Sequence, residues 1–177
     1  MLIASIEPTL NADPWRYQQH LEIWVLIIGL IVAFVYAIRV LGPKVVPSGE
    51  VISRKQIRIF CLMIFLLLIS TDWPLHDIAE EYLYSMHMLQ HTILTYIIPP
   101  LALLAIPEWL FRLLVGRGRT YRVIRFLTRP VIAAVTYNAV LLITLIPALV
   151  NRSAAGGPLH YSLHVLLVAS ALMLWTP

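Results

Sequence analysis

The residues best suited to chemistry are two pairs of histidines. His87 and His91 stand four apart in Met86-His87-Met88-Leu89-Gln90-His91, and His160 and His164 four apart in His160-Tyr161-Ser162-Leu163-His164. On a helix, positions four apart share a face, one above the other. Each pair can therefore turn two imidazoles toward one point. Neutral imidazole is the commonest side-chain metal ligand and suits copper, zinc and iron. Two such faces on helices packed about 8–10 Å apart would reach one metal ion or a close pair. Met86 and Met88 add thioether sulfurs, which favour Cu(I). They flank His87 by one residue and so point away from its face, which makes them auxiliary candidates. His76 is a further auxiliary candidate, and Asp72 and Tyr84 could orient imidazoles from behind.

The elements that must carry these residues are transmembrane helices. Of the 177 residues, 60% are apolar and 12% charged, against roughly 45–50% and 25% in soluble domains. So much apolar surface requires lipid as its solvent. Five apolar stretches, about 23–41, 57–71, 82–106, 130–150 and 160–175, are near the length that crosses the hydrocarbon layer. The expected fold is all-α, a polytopic transmembrane helical bundle of about five spans. It forms a single membrane domain over 1–177, with 1–22 as an external tail. Gly42-Pro43 should end the first span, Pro99-Pro100 should kink or end the third, and Pro130 suits the first turn of the fourth. The first residues include Glu7, Pro8, Asp13 and Pro14 and do not read as a cleaved signal. The one cysteine, Cys61, excludes a disulfide within the chain and any CxxC motif, and reads as a small apolar filler. Asn138, inside the fourth stretch, is expected to hydrogen-bond across to another helix.

Basic residues set the orientation. Arg39, Lys44, Arg54, Lys55 and Arg58 lie between or at the ends of the first and second stretches. Arg112, Arg117, Arg119, Arg122, Arg125 and Arg129 lie between the third and fourth. Only Arg16 and Arg152 fall elsewhere, so eleven of the thirteen occupy one side. The positive-inside rule puts that side in the cytoplasm and the N-terminus outside. The third and fifth spans then both enter from outside, and the two histidine pairs fall at similar depth near the outer face. Ionisable groups inside spans are costly, which makes the four histidines a site by default. The net charge of +4 follows from topology and carries no sign of a nucleic-acid partner.

The same segments carry a family resemblance. Tyr84-Ser85-Met86-His87-Met88-Leu89-Gln90-His91 followed by Pro99-Pro100, Arg129-Pro130, Ile146-Pro147-Ala148-Leu149, and the run from Leu159-His160 through His164 to Leu174-Trp175 resemble the CtaG family of multi-span cytochrome c oxidase assembly factors. The resemblance covers about residues 70–177. It implies a protein of the bacterial inner (cytoplasmic) membrane that supplies or positions copper for the respiratory oxidase. Its implied partners are oxidase subunits, the lipid bilayer and other copper chaperones. Two departures stand out. Thr144 and Leu145 occupy positions where the family often has a Trp-His pair, and the family usually continues with further spans beyond the Trp175-Pro177 region where this chain stops, which leaves a complete protein and a fragment of a longer bundle both open.

Two other readings compete with a copper-handling, non-enzymatic assembly factor. A b-type cytochrome would take one axial histidine from each of two helices. Each pair here spans only one turn, about 6 Å along the axis, so two haems would collide and a single haem or a metal cluster fits better. A metal-free structural subunit of the oxidase would tolerate loss of all four histidines. No HExxH or GxSxG motif points to a hydrolase. The topology is checked by reporter fusions: those after Gly49 and Gly118 should read as cytoplasmic and one after Ala155 as external. A cytoplasmic signal at Ala155 would overturn the orientation.

Overall fold

The computed structural model describes residues 21–47, 49–72, 75, 84–149 and 158–176, without the side chains of Tyr84, Pro158 and His160. The expected tail before residue 21, and His76, lie outside these residues. Among the described residues the fold is all-helical. Seven helices organise it: α1 (Leu21–Val45), α2 (Arg54–Thr71), α3 (Tyr84–Thr92, Ile93–Ile97 and Ile98–Ala105 in continuous succession), α4 (Glu108–Val115), α5 (Arg119–Leu127), α6 (Pro130–Thr144) and α7 (Pro158–Trp175). Among the described residues, Leu21–Val45 and Ser85–Ala105 are long and apolar enough to cross a membrane. The pair α5 and α6, bent by 71°, makes a third candidate. Outward-facing side chains match such a surrounding, since Val25, Val131, Leu142 and Val165 are 66–75% exposed.

The first helix does not stop at Gly42-Pro43 as expected. Residues Ala37–Leu41 form a π-helical turn, in which the Gly42 N–H donates to the Ala37 carbonyl, and the helix then runs on to Val45. Proline lacks an N–H and clashes with the carbonyl four residues back. A widened turn just before it relieves that conflict. The same device recurs in α3, where the Ile98 N–H donates to the Ile93 carbonyl and Pro99-Pro100 follow inside the helix. The prolines are absorbed by π turns rather than ending either span. At the start of α2, Ser53 and Gln56 form a capping box, with Ser53 Oγ accepting from the Gln56 N–H and Gln56 Oε1 from the Ser53 N–H. The helix therefore begins at Arg54, three residues before its apolar run, and takes Arg54, Lys55 and Arg58 into its first turns.

The core joins α1, α2 and α3 through Ile23, Ile27, Met63, Leu67, Leu94 and Ile98. Phe34 stacks on Phe60 with ring centroids 3.7 Å apart, adding a contact between α1 and α2. A second cluster, Tyr137, Val140, Leu167 and Ala171, joins α6 to α7. Helix α7 also packs on α3, with Val168 against the first core. At the far end of α1, a methyl on Gly42 would come within 2.2 Å of the Val51 side chain and 3.4 Å of Trp109. The Trp109 indole donates to the Val51 carbonyl at 2.8 Å. The end of α1, the segment before α2 and the start of α4 thus meet at one end of the bundle, which gathers basic residues from both loops.

Two side chains behave otherwise than expected. Cys61 is exposed on the outer side of α2, because the inward positions there belong to Met63 and Leu67. Asn138 donates to the Ala134 carbonyl of its own helix at 2.8 Å, so it satisfies itself without a neighbouring helix.

Helix α7 is tied to α3 by a hydrogen bond from the Trp175 indole N–H to the Thr95 carbonyl, at 3.0 Å. The residues four and five beyond Thr95 are Pro99 and Pro100, neither of which has an N–H to offer. Trp175→Phe should cost about 1–3 kcal/mol by leaving that carbonyl orphaned. Pro99→Ala, which restores an N–H, should recover part of the loss. Thermal unfolding of the two single variants and the double variant reads the coupling; strictly additive effects would refute it.

Candidate functional site

The helical spacing does what it was expected to do on α3. His87 and His91 lie on one face, their ring centroids 4.4 Å apart. From α7, His164 reaches the same place, 4.9 Å from the His91 ring and 6.0 Å from the His87 ring. Residues 87 and 164 are far apart in the chain and meet because α3 and α7 pack side by side. The helices run in the same direction: His91 meets His164 near their beginnings, and Thr95 meets Trp175 further on. Both ring nitrogens of His91 and Nδ1 of His164 are buried, while His87 is half-buried. Below His91, the Thr95 hydroxyl donates to the His91 carbonyl at 2.7 Å and supports the turn that carries the imidazole.

Residues to which the histidine spacing does not point complete the surroundings. Gln90, between the two histidines of α3, is only 1% exposed. Glu22, in the first turn of α1, accepts a hydrogen bond from the Tyr161 hydroxyl on α7. That bond brings the beginning of α1 to the beginning of α7. The signals are present in the sequence: Gln90 lies three residues from His87, and Glu22 is an acid at the mouth of an apolar span. Glu22, Thr71, Gln90, Tyr161 and His164 form the polar part of an otherwise apolar cleft of about 760 Å³, bounded by α1, α2, α3, α4 and α7.

The auxiliary candidates divide. Met86 and Met88 are half-buried on α3. Asp72 caps the end of α2, with its N–H donating to the Leu68 carbonyl, and its side chain is buried. The side chains of His160 and Tyr84, and the whole of His76, lie outside the described residues. Thr144 and Leu145 end α6 and bring no imidazole there. Among the described residues, no group of three or more His, Cys, Asp or Glu is arranged to hold a metal ion. What these residues do provide is three imidazoles from two helices, with ring centroids 4.4–6.0 Å apart.

No curated protein and no solved structure matches the chain. A sequence model described as cytochrome c oxidase caa3 assembly factor (Caa3_CtaG) matches residues 32–177. The match takes in every helix from the body of α1 onward, including both that bring histidines together, and the chain belongs to the family of cytochrome c oxidase caa3 assembly factors.

Proposed function

We propose that this assembly factor handles copper for the oxidase, receiving or positioning the ion through His87, His91, His160 and His164 near the outer face of a bacterial cytoplasmic membrane. The observation that carries the reading is the meeting of His164 with His87 and His91 across two helices. Three clustered imidazoles suit a small ion better than haem, which takes its axial ligands from opposite sides of a macrocycle. Copper is here a cargo. Met86 and Met88 on the same helix offer soft donors for Cu(I) in passing. Asp72 and Tyr84 are the candidates for orienting imidazoles, and His76 for an auxiliary ligand.

In this reading the chain crosses the membrane about five times, with its N-terminus outside, over spans near 23–41, 57–71, 82–106, 130–150 and 160–175. The role is non-enzymatic. Oxidase subunits are the recipients, and other copper chaperones are the source or relay. The cleft that His164 lines opens beside the histidines and gives an apolar partner segment access to them.

Copper per protein and oxidase activity in cells, measured for single variants, test the proposal. His91→Ala and His164→Ala should each lower copper affinity by about tenfold or more, since even residues behind the ligands are worth 10–100-fold. Both variants should still insert, because apolar length drives insertion. His20→Ala, in the segment before α1, should retain copper and activity. Normal copper and normal oxidase in both His91→Ala and His164→Ala would refute the copper role and leave a scaffold.

A further inference from the structure

The segment between α3 and α6 reads in the sequence as a basic loop, yet it folds into two helices. Gly116 and Gly118 adopt φ of +68° and +76°, a conformation that glycine takes without strain, and turn the chain sharply between α4 and α5. Helix α5 has no buried residue. At 3.6 residues per turn, its Arg119, Arg122 and Arg125 fall within about 120° of its circumference. Val123 lies beside that arc, Phe126 falls within it between Arg119 and Arg122, and Ile124 lies opposite it. Val123 is 51% and Phe126 52% exposed, so neither is spent on the protein's own core. Arg112 on α4 is paired with Glu108 at 2.5 Å. Among the described residues, Arg119, Arg122 and Arg125 have no such acidic partner. Arg119, Arg122, Val123, Phe126 and Leu127 instead line a shallow pocket of about 320 Å³.

Geometry says what this surface meets. Helix α6 is one of the apolar segments of the bundle, and α5 is bent from it by 71°. If α6 runs across the bilayer, α5 lies close to the membrane plane. A short helix in that plane that carries arginines and exposed apolar residues side by side on one face can meet headgroups and the acyl boundary together. We propose that α5 docks anionic phospholipid headgroups through Arg119, Arg122 and Arg125, with Val123 and Phe126 entering the acyl boundary. The guanidinium fork matches phosphate oxygens, and the pocket between arginines and apolar side chains fits a headgroup joined to its chains. Such a contact would fix the height of α6, and through the Tyr137 and Leu167 cluster that of α7, in the membrane. The proposal is independent of the histidine cluster and does not require copper.

The full chain is reconstituted in bilayers of equal parts phosphatidylcholine and phosphatidylglycerol, and spin-labelled lipids of each kind report which is held at the protein surface. The wild type should prefer phosphatidylglycerol by about fivefold or more, the equivalent of about 1 kcal/mol for one arginine near the surface. The preference should fall as salt is raised. The triple variant Arg119→Gln, Arg122→Gln, Arg125→Gln should lose most of it. The triple Lys variant at the same positions should keep it, which separates loss of charge from loss of fold. Neutralising Arg54, Lys55 and Arg58 on α2 should leave it largely intact. A preference that survives the triple Gln change, or is lost equally from the α2 change, would overturn the proposal. So would a wild type with no lipid preference that instead binds polyglutamate, which would assign the arginines to an acidic protein partner.

Discussion

The arrangement depends on one carbonyl that its own helix cannot satisfy. Thr95 sits where both possible helical donors, four and five residues on, are prolines. In an apolar surrounding water cannot supply the missing bond, and an unsatisfied backbone group there costs several kcal/mol. The indole of Trp175 supplies it from another helix. Between apolar helices in lipid there is little hydrophobic drive to choose one neighbour or register over another, so a directional hydrogen bond carries unusual weight. This one sets α7 against α3, and the alignment brings His164 to His91. The double proline and the terminal tryptophan, which look like punctuation in the sequence, thus contribute to the site's geometry.

The two ends of the bundle divide the chemistry. At one end lie the imidazoles, with Glu22, Gln90 and Tyr161 around them. At the other, Gly42, Val51 and Trp109 close the packing beside the arginine-rich helices. Under the proposed function the first end is where copper would be held, a reading that membership of an oxidase assembly family supports. The basic end is where the proposed lipid contact would set the height of the bundle. The apolar cleft joins the two along the faces of α1, α2, α3, α4 and α7.

Much of this is legible in the amino-acid sequence alone. Apolar length announces helices, and the four-residue spacing announces that His87 and His91 share a face, because both follow from the helical repeat. The meeting of α3 with α7 is reachable only through topology, by counting basic loops. What stays hidden depends on contacts made elsewhere. Gly42-Pro43 reads as a stop, and only a π turn one step earlier lets the helix continue. Asn138 has the chemistry of an interhelical bond but finds a carbonyl on its own helix first. Cys61 is small and apolar, yet its position on the helix turns it outward. Arg119, Arg122 and Arg125 read as charges in a loop, although their three-residue spacing already carries the helix they form. Glu22 gains its place only when Tyr161, remote in sequence, arrives beside it.

The central claim is that imidazoles from α3 and α7 together hold copper. X-ray absorption at the copper edge, on the purified chain loaded with one equivalent of Cu(I), tests it most directly. The account predicts the multiple-scattering pattern of histidine imidazoles, diminished in His91→Ala and in His164→Ala alike. A spectrum without imidazole scattering, or one unchanged when either histidine is removed, would contradict it.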